Sequence, residues 1–123
     1  MTNEGLNRRR LGEDKEVLAA GWLRRQGMKI LARNFRCRQG EIDLIALDEA
    51  GGPALVFIEV KYRKNAACGH PEEAVDVRKQ RVISKVALFY LARYRIPPDT
   101  PLRFDVVAIE GERIRWIRNA FSI

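Results

Sequence analysis

The feature that most constrains the fold is a pair of apolar segments, residues 41–47 and 55–62, separated by a short stretch of turn-forming residues. Both segments are rich in Ile, Leu and Val, which are typical of β-strands, and the connection Asp48-Glu49-Ala50-Gly51-Gly52-Pro53 has turn composition. Two strands joined so closely are expected to form an antiparallel hairpin. If the turn spans residues 49–53, Leu47 pairs with Leu55, and that register fixes the other pairs.

Charged residues interrupt both strands of this hairpin. Counting back from the Leu47–Leu55 pair puts Asp43 opposite Glu59 and Glu41 opposite Lys61, with cross-strand Cβ atoms about 4.5–5.5 Å apart. Facing carboxylates repel each other, and Mg²⁺ or Mn²⁺ would resolve the conflict while Lys61 orients a water molecule or stabilises developing charge. This interpretation predicts metal-assisted phosphodiester hydrolysis. The alternative is a set of solvated strand residues, with Asp43 moved away by a one-residue register slip.

The rest of the chain predicts two helices and three further strands. Apolar residues at helical spacing cover residues 11–26, where Gly27 is placed to end the helix, and a second helix covers about 71–94. Strands are predicted at about 28–37, 103–109 and 113–117. The order α-β-β-β-α-β-β indicates an α/β fold, a mixed β-sheet flanked by helices. We expect a single domain over residues 11–123 after a flexible basic tail at 1–10.

Charge and composition indicate which class of molecule the protein binds. The 123 residues include 23 Lys and Arg against 16 Asp and Glu, a net charge of +7, and 17 of the cations are arginines. A polyanion is the expected partner, nucleic acid first and anionic membrane second, and the alternative is a solubilising basic surface. Two cysteines and one histidine exclude a disulfide scaffold and argue against a zinc site. Without a signal-like or membrane-spanning apolar run, the expected location is cytoplasmic.

Several motifs resemble the small bacterial YraN family over roughly residues 12–109. They are Gly12-Glu13, Asn34-Phe35-Arg36, Gly40-Glu41-Ile42-Asp43-Leu44-Ile45, Phe57-Ile58-Glu59-Val60-Lys61-Tyr62-Arg63, Lys79-Gln80-Arg81 and Arg103-Phe104-Asp105-Val106-Val107. Their Asp…Glu-x-Lys core is similar to that of the PD-(D/E)xK nucleases, especially the branch that resembles Holliday-junction resolvases. The resemblance implies a restriction-endonuclease-like core, Mg²⁺ dependence and action on DNA, with branched DNA among the substrates.

The resemblance also implies roles for individual residues. Asp43 and Glu59 match the metal-binding acids, and Lys61 matches the catalytic lysine. The backbone carbonyl of Val60 would be a further metal ligand. Glu13 matches an acid of the first helix that approaches the metal, and its alternative role is to complement the helix dipole near the N-terminus.

Basic residues around this cluster are candidates for contacts to a nucleic-acid backbone. Arg36, Arg38 and Arg63 flank the acids in sequence, and Lys79 and Gln80 lie on the second helix. The alternatives are a solvated basic face for the arginines and a Lys79 side chain that extends along the helix surface into solvent.

The sequence therefore favours a metal-dependent DNA endonuclease. The alternative is a non-catalytic nucleic-acid-binding module that retains the nuclease fold, and a membrane-surface adaptor is the least favoured class. The sequence does not distinguish among junction, flap, nicked and single-stranded substrates. A two-fold junction as substrate would favour a homodimer, and the sequence also allows a protein partner. Asp105, on an otherwise apolar strand, is expected to be a structural partner of Arg103 or another arginine, and its alternative role is that of a further site acid.

Overall fold

The described part of the chain folds into a five-stranded sheet with one helix packed on each face. The computed structural model describes the backbone of residues 4–50, 53–63 and 75–122, and the side chains of residues 15–50, 53–62 and 75–122. The elements in chain order are α1 (Glu4–Arg25), β1 (Met28–Cys37), β2 (Gly40–Asp48), β3 (Ala54–Arg63), α2 (Val77–Arg93), β4 (Leu102–Glu110) and β5 (Arg113–Phe121). This is the predicted α-β-β-β-α-β-β order and an α/β fold compatible with a restriction-endonuclease-like core.

The strands lie in the sheet in their sequence order, β1 to β5. Neighbours are antiparallel except β3 and β4, which are parallel and are connected through α2. The pair Leu47↔Leu55 confirms the predicted hairpin register. Because α2 crosses between two parallel strands, its N-terminal part begins near the end of β3, where the charged residues lie.

Two hydrophobic clusters hold the helices against the sheet. Beneath α2, the helix residues Ile83, Val86 and Tyr90 pack on apolar side chains of β2, β3 and β4, among them Phe57. Beneath α1, a second cluster includes Ala19, Ala20, Leu23, Leu44, Val56, Ile58 and Val107. The central strands are therefore buried on both faces, which explains their nearly continuous apolar sequences.

Both helices differ from their predicted bounds at the N-terminal end. Helix α1 begins at Glu4 and not at residue 11, so residues 4–10 of the predicted tail are helical, which suits their Glu, Leu and Arg content. Helix α2 begins at Val77 because the Asp76 side chain accepts a hydrogen bond from the backbone N–H of Lys79, as an N-cap residue does. Residues 71–74, where that helix was predicted to start, lie outside the described residues.

Gly27 ends α1 as predicted, with φ at +97°. Its N–H donates to the Arg24 carbonyl, so the chain leaves the helix through a backbone conformation that suits glycine. Within the described residues, neither helix is both long and apolar enough to cross a membrane.

Candidate metal and nucleic-acid site

The predicted acidic cluster forms where β2 separates from β3. The recorded ladder between these strands ends at Leu44↔Ile58, one step before the expected pairing of Asp43 with Glu59. Asp43 Oδ2 instead accepts a hydrogen bond of 2.8 Å from the backbone N–H of Val60. The predicted register is therefore correct up to Leu44, and beyond it a side chain takes the place of the backbone ladder.

An irregular stretch of β2 accounts for this change. Ile42 and Ile45 both belong to the cluster beneath α2, whereas Leu44 belongs to the cluster beneath α1, so strict alternation of faces is broken around Asp43. On the neighbouring strand, Asn34 has a left-handed φ of +52°. Local distortions of this kind re-aim side chains, and here they accompany a carboxylate turned toward α1 and β3 together.

Glu16 on α1 is a member of the site that sequence reasoning missed. Burial first, and then the charge of Asp43, raise the pKa of Glu16 from 4.5 to about 7. Side-chain interaction with Asp43 also raises the pKa of Glu16, interaction with Asn34 lowers it, and the same contact with Glu16 lowers the pKa of Asp43. Glu16 Oε2 is buried without a hydrogen-bond partner. The available signal was its position one helical turn before the buried Ala19 and Ala20, which places it on the sheet-facing side.

Glu59 is the most buried acid of the site, with 3% of its surface exposed. Its Oε2 lies 3.6 Å from Lys79 Nζ, while its Oε1 is buried without a partner. Burial and the charge of Asp43 raise the pKa of Glu59 to about 7, and the charges of Lys79 and Lys61 oppose that rise. Burial also raises the pKa of Asp43, against the lowering effect of the Val60 N–H.

A cavity of about 400 Å³ lies beside these acids. It is lined by Lys61, Asp76, Arg78, Lys79 and Val82. Three of the five lining side chains are cations, and Lys79 also contacts Glu59. The cavity therefore joins the acidic cluster to a basic surface, an arrangement that suits a phosphate group next to a metal ion.

The hairpin between β1 and β2 carries two of the predicted basic residues. Arg36 Nε donates to Glu41 Oε2 at 2.9 Å, so Glu41 lies with Arg36 of β1 and its predicted place opposite Lys61 is not recorded in the ladder. Arg38 is exposed in the connection. The hairpin packs closely on α2, because a Cβ added to Gly40 would lie 2.6 Å from Val82 Cγ1.

Of the remaining predicted site residues, the structure describes the side chains of some and not of others. The Gln80 side-chain amide donates to the Val75 carbonyl at 3.0 Å, which fixes the segment before α2 and leaves the amide turned toward the backbone. The side chains of Glu13 and Arg63 lie outside the described residues. Val60 is placed by its N–H bond to Asp43, and its carbonyl stays a predicted ligand.

Carboxylate oxygens, the donors that divalent cations such as Mg²⁺ prefer, are what this site offers to a metal ion. Where side chains are described, no three acidic, histidine or cysteine residues are close enough together to enclose a metal ion as they stand. Mg²⁺, however, usually takes one or two carboxylates and completes its shell with water and substrate phosphate. The two buried oxygens without partners, Glu16 Oε2 and Glu59 Oε1, are ligands of the correct chemistry, so the residues fit such an ion.

Asp105 lies outside this site and has the structural role expected of it. It is completely buried and accepts hydrogen bonds from Arg103 Nε and Nη2, from Trp116 Nε1 and from the Asn119 N–H, at 2.8–3.0 Å. Arg103 Nη1 also donates to Asp48 at 2.9 Å. Both carboxylate oxygens of Asp105 thus accept hydrogen bonds within the fold.

Comparison with known proteins gives the family. The sequence model of "Uncharacterised protein family UPF0102" matches residues 15–109, a range that includes Glu16 and begins after Gly12 and Glu13. A UPF0102 protein of Lachnoclostridium phytofermentans is 51% identical over 95% of this chain and 97% of its own length. UPF0102 proteins of Symbiobacterium thermophilum and Stutzerimonas stutzeri are 49% and 44% identical, over 92% and 90% of this chain and 97% and 93% of theirs. The chain therefore belongs to family UPF0102, the YraN family that its motifs resemble.

Proposed function

We propose that this protein is a nuclease that hydrolyses phosphodiester bonds of DNA with Mg²⁺ or Mn²⁺. The observation that carries the proposal is the pair of buried carboxylate oxygens without partners, Glu16 Oε2 and Glu59 Oε1, on two acids that both interact with Asp43. Unsatisfied buried acceptors are costly, and a cation is the ligand that would satisfy both.

The acids of this site are held close together at a cost to the stability of the fold. Burial raises the pKa values of Glu16, Asp43 and Glu59, and the charge of Asp43 further raises those of Glu16 and Glu59, to about 7, so near neutral pH the site would retain protons that a divalent cation replaces. Perturbed acids beside an open cavity are typical of functional sites.

The proposed roles follow from where the side chains lie. Glu16, Asp43 and Glu59 would hold the metal, with the Val60 carbonyl as a further candidate ligand. When bound, the metal supplies Lewis-acid polarisation of the phosphoryl group and a lower pKa for water. The Val60 N–H fixes the Asp43 carboxylate, which reduces the reorganisation that metal binding requires.

Lys61 and Lys79 have separate proposed roles. Both line the cavity beside the acids, where a phosphate would meet two ammonium groups. Lys61 would orient the attacking water or stabilise charge on the phosphoryl oxygens, as the Glu-x-Lys spacing predicts. Lys79 already balances Glu59 at 3.6 Å and would turn to the phosphate once another cation balances that carboxylate.

A second candidate function, nucleic-acid binding without hydrolysis, is favoured by one observation. Lys79 already supplies a positive charge to Glu59, so the cluster has a partial counter-charge without a metal. In that case the fold and the basic cavity would serve binding alone.

The test compares the wild type with Glu59→Gln and with the matched control Glu112→Gln, which removes one exposed acid from the turn between β4 and β5. Labelled junction, flap, duplex and single-stranded DNA are incubated with Mg²⁺, Mn²⁺ or EDTA, and binding and cleavage are read in the same samples. We expect metal-dependent cleavage that falls at least about 100-fold in Glu59→Gln, keeps its rate in the control, and leaves binding intact. Binding without cleavage on every substrate would favour the second function.

A further inference from the structure

Helix α2 has a charge pattern that its own stability does not favour. Its 17 residues contain five cations and no acid, and no acid lies in its first turn. Exposed helices normally gain from acids near the N-terminus and from pairs of opposite charge one turn apart. In α2 the acid at this end is the N-cap Asp76, which precedes the helix, and the cations begin at the second helical position, close to the positive end of the helix dipole.

Three of these cations form one exposed row. Arg78, Arg81 and Lys85 are exposed, whereas the opposite face of the helix, with Ile83 and Val86, is buried on the sheet. Residues three and four positions apart are neighbours on a helix surface, so the three side chains follow one another along α2. We call this row the α2 basic stripe.

Among the described side chains, no acid neutralises the positive charges of the α2 basic stripe by an ion pair. Across the side chains described at residues 15–50, 53–62 and 75–122, no carboxylate forms an ion pair with Arg78, Arg81 or Lys85. Like charges one turn apart on a helix are destabilising, and the helix dipole adds to the cost at Arg78. Local rules that are broken in this way are typical of functional surfaces, where a bound partner relieves the repulsion.

The stripe is continuous with the candidate catalytic cavity. Arg78 lines the cavity together with Lys61 and Lys79. From Arg78 to Lys85 the helix advances about 10.5 Å, at about 1.5 Å per residue. Phosphates on one strand of duplex DNA advance about 3.4 Å along the axis, so the stripe matches the length of about three phosphates.

We infer that the α2 basic stripe binds the phosphate backbone of the nucleic-acid strand that leaves the candidate catalytic cavity. The inference deepens the proposed function and rests on it for the class of partner. It also predicts the path of the bound nucleic-acid strand, which would extend from Lys61 and Lys79 along α2 toward Lys85. Ile83, Val86 and Tyr90 are buried against the sheet and unavailable to lipid, whereas Val77, Leu88 and Phe89 are exposed on α2, so an anionic membrane is the competing partner that the vesicle comparison below tests.

The test compares Arg81→Gln/Lys85→Gln with Arg24→Gln/Arg25→Gln. The control removes the same charge from the last turn of α1, on the opposite face of the sheet. Binding to labelled duplex and single-stranded DNA is measured by fluorescence anisotropy in EDTA, between about 50 and 200 mM salt. On duplex we expect the log–log salt slope of the stripe variant to fall by about 1.8 in magnitude, about 0.9 for each lost phosphate contact, and the control slope to keep its wild-type value.

A stability measurement separates lost binding from lost folding. Because the stripe is self-repelling, the stripe variant is expected to melt at the wild-type temperature or above it. Equal slopes for the stripe variant and the control would overturn the inference. So would an absence of DNA binding in the wild type, or a variant that loses binding only to vesicles of phosphatidylserine and phosphatidylcholine.

The two proposals fail in distinguishable ways. If the stripe variant shows the expected salt slope in EDTA but no preparation cleaves DNA with Mg²⁺ or Mn²⁺, the inference that the α2 basic stripe binds phosphates is retained and the proposed hydrolysis is rejected. If Glu59→Gln abolishes cleavage while the stripe variant binds DNA like the control, the proposed hydrolysis is retained and the inference about the α2 basic stripe is rejected.

Discussion

Glu59 and Asp105 are buried acids on neighbouring strands, one residue apart in register, and their surroundings are opposite. Asp105 pairs with Ile58 and is satisfied by four hydrogen bonds from three residues. Glu59, the next residue on β3, has one oxygen 3.6 Å from Lys79 and the other without a partner. The Asp105 carboxylate is thus satisfied by hydrogen bonds within the fold, whereas the Glu59 carboxylate keeps one buried oxygen without a hydrogen-bond partner.

The difference lies in what each face of the sheet supplies. On the α1 face, β4 and β5 bring the Arg103 guanidinium and the Trp116 indole to Asp105. Around Glu59, by contrast, the neighbouring residues include Asp43, whose charge raises the pKa of Glu59. A buried acid that a fold satisfies is a structural element, and one that it leaves unsatisfied is a candidate ligand.

The largest effect that we predict is on the satisfied acid. Asp105→Ala would leave Arg103 without a main partner and the Trp116 and Asn119 donors unsatisfied, so we expect the free energy of unfolding to fall by about 3–5 kcal/mol. Urea unfolding measures this loss, with Asp99→Ala, at an exposed loop position, as the control. A loss below about 1 kcal/mol would show that the network does not hold the sheet together.

The second prediction concerns the pH dependence of metal-free stability. The pKa of Glu59 is raised from 4.5 to about 7, so between these values the folded state binds more protons than the unfolded state. Stability therefore falls as pH rises from about 5 to 8, by on the order of 3 kcal/mol at most from Glu59 alone, at about 1.36 kcal/mol per pKa unit.

Thermal melting in EDTA across this pH range tests that prediction. Glu59→Gln should reduce the slope, because the amide does not titrate while Glu16 still does, and Glu112→Gln should retain the wild-type slope. A wild-type melting temperature that rises steadily from pH 5 to 8 would contradict the raised pKa.

The third prediction concerns the effect of added metal. Because the acids must lose their protons to bind a cation, Mn²⁺ should stabilise the wild type more at pH 8 than at pH 5.5. At a metal concentration 100 times the dissociation constant the gain is about 2.7 kcal/mol. Calorimetric melting with and without Mn²⁺ measures it, and Glu59→Gln should lose most of the gain. Equal shifts in Glu59→Gln and the wild type would place the ion elsewhere.

The smallest predicted effect returns to the satisfied acid. Trp116→Phe removes the 2.8 Å hydrogen bond to Asp105 but keeps an aromatic ring near Trp22. One of the hydrogen bonds to Asp105 is lost, so we expect a decrease of about 1 kcal/mol in the free energy of unfolding. Urea unfolding should find this loss clearly smaller than that of Asp105→Ala, and equal losses would mean that ring packing dominates the site.

Much of the fold was predictable because it depends on local patterns. Turn residues between two apolar strands fixed the Leu47↔Leu55 pair, and the glycine after α1 fixed the end of that helix. The start of α2 was less predictable, because Pro71 and Asp76 are both acceptable near a helix start. The Asp76 cap decides where the described helix begins.

The candidate site was predictable only in part. The register identified Asp43, Glu59 and Lys61 as neighbours, because alternation along strands places side chains on faces. Glu16 was missed because its role requires the packing of α1 against the sheet, and on a helix Glu13 and Glu16 share nearly the same face. The bond from the Val60 N–H to Asp43 was also missed, since it forms where the ladder ends.

By itself, then, the sequence determined the order of elements, the hairpin register and the identity of two acids and a lysine. Only the tertiary structure decided which acids are buried, which oxygens lack partners and which cation faces Glu59. The physical reason is that register is set by short-range pairing and turn geometry, whereas desolvation and charge coupling depend on every element packed around a group. Here those elements are α1, which carries Glu16, and α2, which carries Lys79.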